Sequence, residues 1–141
     1  MIKVQSITHW SIPVNDLTES ERFYSEVLGM EARGRLGGFM SCVSFSGNEI
    51  LLCERKQPQE RTHDQDITHH SFTVSPDDWE AGCRLFKQQG VRVVDLVYRE
   101  RGFFTGRELY FLDPSGNRLE LRDPTWRAGM PAPSYAEICG G

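Results

Sequence analysis

With 141 residues, 38% of them apolar and 26% charged, the chain is long enough to bury its own core and ordinary for a globular protein. A formal net charge of -4, with both signs interspersed, argues against nucleic acid as a partner, because phosphate binding needs a basic face. No run approaches the ~20 apolar residues of a membrane span, and the opening Met-Ile-Lys-Val-Gln-Ser has no apolar signal core, so the expected location is the cytoplasm.

Taken in chain order, alternation predicts a first strand over 5–14, with Trp10, Ile12 and Val14 on the core side and His9, Ser11 and Pro13 on the other. A helix follows over about 18–28. Asn15 or Asp16 is placed to cap it, Thr18 and Glu21 have capping-box spacing, and Gly29 ends it. Strands are predicted at 31–36, 39–46 and 49–54, with turns at Gly37-Gly38 and Gly47-Asn48. The polar stretch 56–66 reads as a linker. The pattern then repeats: strand 67–74, a helix opening at Ser75-Pro76-Asp77-Asp78 and ending at Gly90, then strands 91–98, 107–112 and 117–122. The tail after Asp123 reads as irregular, either loose or an arm for a partner chain. The four cysteines, Cys42, Cys53, Cys83 and Cys139, have neither metal nor redox spacing and read as reduced thiols, mostly in the core.

The repeat is explicit. Ile-Thr-His-Trp-Ser-Ile-Pro-Val at 7–14 returns as Ile-Thr-His-His-Ser-Phe-Thr-Val at 67–74. This predicts an α+β fold of two βαβββ modules forming a cup-shaped mixed sheet. The whole chain is then a single domain, with an N-terminal module over 5–55 and a C-terminal module over 67–122. His9 and His69 occupy equivalent positions on the polar strand faces, whereas His70 aligns with Phe72 and Val74 and reads as a core histidine. In Arg118-Leu119-Glu120-Leu121-Arg122 the leucines face the core and Glu120 the other side. Two histidines and a carboxylate form a common ligand set for one divalent metal, Fe2+, Mn2+, Zn2+ or Ni2+, with positions left open for substrate.

These motifs resemble the vicinal oxygen chelate superfamily, which includes glyoxalase I, extradiol dioxygenases, fosfomycin-resistance enzymes and bleomycin-binding proteins. The resemblance runs from His9 through Asp16-Leu17, Phe23-Tyr24 and Leu28-Gly29 to His69, and then through Tyr110-Phe111-Leu112-Asp113-Pro114-Ser115-Gly116-Asn117 to Glu120. It implies a metal site at His9, His69 and Glu120. It also implies a homodimer whose site is shared between chains, and a small substrate chelated through adjacent oxygens.

Glyoxalase I would need a fourth protein ligand, a carboxylate, where the alignment places Leu52, with Glu54 a weak substitute. Extradiol enzymes carry a histidine before the tyrosine, and 99–106 holds none. The fosfomycin-resistance layout matches at Ser11 and Tyr110, which are therefore candidates for proton transfer or substrate hydrogen bonding. Its basic, serine-rich loop is replaced by Phe103, Phe104 and Glu108, which suggests an aromatic or apolar substrate. Leu52, Phe103, Phe104 and Glu108 are the expected substrate-side residues, and Glu108 reads first as a solvated charge. The expected function is a metal-dependent dioxygenase, lyase/isomerase or transferase. The alternatives are a drug-sequestering, bleomycin-resistance-like protein, or an enzyme adding thiol or water to an epoxide.

Overall fold

The structure, a computed structural model, describes residues 1–60 and 67–140; residues 61–66 of the expected linker lie outside the described residues. It divides into two compact units, Met1–Glu60 and Arg61–Gly141. Among the described residues no helix is long and apolar enough to cross a membrane.

The first unit contains β1 (Trp10–Val14), α1 (Leu17–Arg22), β2 (Glu31–Leu36), β3 (Met40–Phe45) and β4 (Asn48–Glu54). Its sheet order is β1-β4-β3-β2, with β1 parallel to β4 and the other neighbours antiparallel. The second unit repeats this with β5 (His70–Thr73), α2 (Pro76–Gln89), β6 (Val93–Arg99), β7 (Gly106–Leu112) and β8 (Arg118–Asp123), in the order β5-β8-β7-β6. Both units carry a β-bulge at the same place, between Ala32 and Gly34 in β2 and between Val93 and Asp95 in β6. The two βαβββ modules are thus both present.

The alternation of β1 is as expected, since Ile12 and Val14 are buried on the helix side. Asp16 caps α1 by accepting the Glu19 N–H. The expected capping box at Thr18 and Glu21 does not form, because Glu21 turns to Arg35 and Ser41. Beyond Arg22 the helix widens into a π-helical turn, Phe23–Val27, whose two adjacent aromatics Phe23 and Tyr24 are both buried. In the second unit Ser75 caps α2 and Pro76 opens it; Gly90 ends it in the left-handed conformation at φ 67°. Trp79, Cys83 and Phe86 form the inner face of α2. The Trp79 indole N–H donates to the Leu121 carbonyl at 3.1 Å.

Three expectations are corrected. The strands β1 and β5 begin at Trp10 and His70, so His9 and His69 both stand one residue ahead of their strands. Of the cysteines only Cys83 is buried; the others are half-buried. The tail is neither loose nor projecting. Trp126 packs against Tyr98 with the rings tilted by 51° and their centroids 5.0 Å apart, and Tyr98 donates to the Pro133 carbonyl at 2.6 Å. A short helix α3 (Tyr135–Ile138), capped by Ser134 and Glu137, then packs on α2, where Tyr135 donates to the Cys83 carbonyl at 2.9 Å.

Candidate metal and substrate site

Strand register builds the site from the second unit. On the face of β8 away from α2, Glu120 stands opposite Ser71 on one side and Tyr110 on the other. One step along, Arg122 stands opposite Thr73 and Glu108. These rows floor a cavity of about 580 Å3, whose rim carries His69, Arg99, Arg101, Phe103 and Phe104. The intervening residues Leu119 and Leu121 are buried on the other face, where Leu121 meets α2.

His69 Nδ1 lies 2.8 Å from the Ile67 carbonyl, which can only accept, so this nitrogen carries the proton. That leaves Nε2 bare, 3.0 Å from Glu120 Oε2. A bare imidazole nitrogen and a carboxylate are both acceptors. At that distance they need something between them, either a proton, carried by the ring or by the carboxyl, or a metal ion. Glu120 is only 4% exposed, so it is not the solvated strand charge that its arginine neighbours suggest. Burial, and then the charge of Glu108, raise its pKa, against the opposing hydrogen bond from Ser71 and the influence of His69. A divalent cation at this pair would offset the cost of the buried charge, so the donors fit a metal. Among the described residues no third His, Cys, Asp or Glu completes a ligand cluster.

Glu108 also departs from expectation. It is 2% exposed and clamped by Arg99, through Nε at 2.8 Å and Nη2 at 2.9 Å. Tyr110 donates to the same Oε2 that Arg99 Nη2 reaches, also at 2.9 Å. The Tyr110 hydroxyl pKa is pushed up to about 12 by burial, the charge of Glu120 and its bond to Glu108. Tyr110 is therefore a proton-bearing donor at neutral pH rather than a base. Its ring meets the edge of His69 at 5.5 Å between centroids and lies under the Arg118 guanidinium.

The structure thus gathers His69, Glu120, Tyr110, Glu108, Phe103 and Phe104 around one cavity. His9 and Ser11 belong to the first unit, where both are exposed. His70 is half-buried and its pKa is lowered, first by burial, as a core-side histidine requires. The Asp113 carboxylate of the Asp-Pro-Ser-Gly-Asn segment is spent on the turn itself, accepting from the N–H groups of Ser115 and Asn117.

Leu52 is a correction. It is fully buried with Ile12, Val14, Val43 and Ile50 and is not among the residues that line the cavity at His69 and Glu120. Ser11 pairs with Leu51 as Ser71 pairs with Glu120, so Leu51 is the first module's counterpart of Glu120. Glu54 is no spare ligand either: its carboxylate accepts the Leu17 N–H at 2.7 Å and caps α1 from the side. Leu52→Glu should destabilise the protein by about 3–5 kcal/mol, the cost of a buried unpaired charge, and Leu51→Glu clearly less, as read from urea midpoints.

Ser71 and Thr73, which alternation puts on the polar face with His69, line the cavity as expected, but sequence reasoning missed Arg99, Arg101 and Arg122, which line it too. Alternation would have found Arg122, which shares the Glu120 face. The absence of cations inferred from the loop is overturned, because two of the three arginines come from strands β6 and β8.

Comparison with known proteins accords with this geometry. Residues 6–121 match the model of the Glyoxalase/Bleomycin resistance protein/Dioxygenase superfamily. The chain is 34% identical over 127 residues to the glutathione transferase FosA of Serratia marcescens, covering 84% of this chain and 80% of that protein. It is 29% identical over 122 residues to the metallothiol transferase FosB of Lysinibacillus sphaericus, covering 86% and 84%. Its fold matches a point mutant of the fosfomycin resistance protein FosX from Listeria monocytogenes, complexed with Mn(II) and 1S,2S-dihydroxypropylphosphonic acid. That match has a TM-score of 0.70 and 23% identity, covering 85% of this chain and 90% of that one. This chain therefore belongs to the glyoxalase/bleomycin resistance protein/dioxygenase superfamily.

Proposed function

We propose that this protein is a metal-dependent enzyme that adds a thiol or water to the epoxide of a small, oxygen-rich anion. The observation that carries this reading is the pair of acceptors at His69 and Glu120, 3.0 Å apart at a cavity that three arginines line. The relatives named for glutathione and metallothiol transfer support the reaction class. His9, the repeat counterpart of His69, is the proposed third ligand, contributed within a homodimer whose site is shared between chains. A cytoplasmic location suits a thiol co-substrate.

A divalent ion held there would supply Lewis acidity toward a substrate oxygen. The chain's own residues do the rest. Addition forms a C–S or C–O bond, breaks one ring C–O bond and the S–H or O–H bond of the nucleophile, and the proton that the nucleophile gives up balances the one that the ring oxygen takes up. Tyr110 holds its proton at neutral pH and is the donor that orients a substrate oxygen. The Arg99 clamp fixes the Glu108 carboxylate and, through it, keeps the Tyr110 hydroxyl aimed. Ser11 is the proposed hydroxyl contact from the first unit.

Incubation of the Mn(II)-supplemented protein with fosfomycin, with and without glutathione, followed by phosphorus NMR, tests this reading. A new phosphonate resonance that fails to form with Glu120→Gln is expected. Unchanged fosfomycin under all thiol and water conditions would contradict the reaction, though not the metal site. Sedimentation equilibrium should return the mass of a dimer.

A further inference from the structure

We infer that this cavity selects an anion that carries a planar apolar group, not merely a small anion. The inference rests on the reading of the cavity as the substrate site. Phe103 is 100% exposed and Phe104 67% exposed, side by side on the loop between β6 and β7. Single exposed apolar residues are ordinary, but adjacent phenylalanines at the rim of a cavity form a patch with a use. Neither ring contributes to the core, so neither is there for folding.

Beside them is an unused anion anchor. Arg122 donates through Nη2 to the Thr105 carbonyl, and its guanidinium lies 5.7 Å from the Phe104 ring centroid. Its Nε is buried without a hydrogen-bond partner among the described residues. A buried charged donor without a partner is costly. Arg122 as a whole is half-buried and lines the cavity, so the open edge of its guanidinium can meet an anionic oxygen there. Arg101 adds a second cation at the rim, and the three lining arginines outnumber the two lining glutamates before any metal is added.

Size points the same way. A cavity of about 580 Å3 lies within the ~300–1,000 Å3 that accommodate drug-sized ligands, more than a three-carbon phosphonate needs. An aryl or comparably flat group stacked on Phe103 and Phe104, with its anionic head at Arg122, would use both features. The loop is held for this by Gly106, whose backbone at φ +140° lies against the Asp123 carbonyl.

Calorimetry with two unreactive probes, phenylphosphonate and methylphosphonate, tests the inference on the intact protein with and without Mn(II). Phenylphosphonate should bind about tenfold more tightly, the return on stacking one ring. The double variant F103A/F104A should bring the two affinities together and leave Mn(II) affinity unchanged. Both substitutions are at exposed side chains, so the variant folds. Equal affinities in the wild type, a preference that survives the double substitution, or no binding of either probe would overturn the inference. So would a double variant that turns monomeric by sedimentation while keeping the preference, since a second copy would then cover the rings. A failure to bind Mn(II) with the aryl preference intact would count against the metal reading alone.

Discussion

Glu120→Gln is expected to weaken divalent-metal binding by at least about 100-fold, since even changes beyond the ligands themselves cost ~10–100-fold in metal sites. The substitution keeps shape and removes the charge that His69 Nε2 faces at 3.0 Å. His69→Ala should do the same. His70→Ala should not: its side chain sits half-buried on the core side, and its loss should appear as a lower urea midpoint with metal affinity intact. Titration of the metal-free protein with Mn(II), followed by EPR of the free ion, separates the three. Full metal occupancy in the His69 variant would remove it from the ligand set, and loss of metal in the His70 variant instead would reverse the assignment of the two histidines to their faces.

Gly106→Ala is expected to be the most damaging small substitution in the second unit. An added Cβ would run into the Asp123 carbonyl oxygen, far inside contact distance, and would meet the Pro124 Cα at 3.0 Å. Both are backbone atoms that cannot swing aside. The φ of +140° is itself unfavourable for an L side chain. Together these should cost on the order of 3–5 kcal/mol. Gly102→Ala, at φ +106° with nothing within 4 Å, should cost only the backbone strain and so clearly less. Urea denaturation of both variants gives the order. If Gly102→Ala were the worse, the loop would not be anchored at Gly106. The consequence reaches function, because Gly106 opens β7 and holds the segment that carries Phe103 and Phe104.

Much of the fold was legible because the repeat reports it twice. Among the described residues, all eight strands and both long helices follow from alternation, caps and turns, and the helix stop at Gly90 follows from its chemistry. The π-helical turn at Phe23–Val27 was not legible, because its apolar spacing also suits an ordinary helix. In the site, His69 and Glu120 could be read from strand parity, and the structure brings them together. What parity could not give was the state of Glu108. One acidic residue in a strand reads as solvated until a strand neighbour, Arg99, is seen to clamp it.

Leu52 failed for a different reason. The repeat offset is 60 at His9 and His69 but 69 at Leu51 and Glu120, because the second module is longer between its first and last strands. An alignment one residue out in a strand moves the chosen side chain to the opposite face. The docked tail was invisible for lack of periodicity. Its anchors are single residues, Trp126, Tyr135 and Ile138, spaced by prolines and glycine.

The proposal that His69 and Glu120 hold a divalent cation at the head of this cavity is tested most directly by anomalous diffraction from crystals soaked in Mn(II). One strong peak is expected about 2 Å from both His69 Nε2 and a Glu120 carboxylate oxygen. A peak elsewhere, or none, with His69 and Glu120 still joined directly as an ion pair, would contradict it.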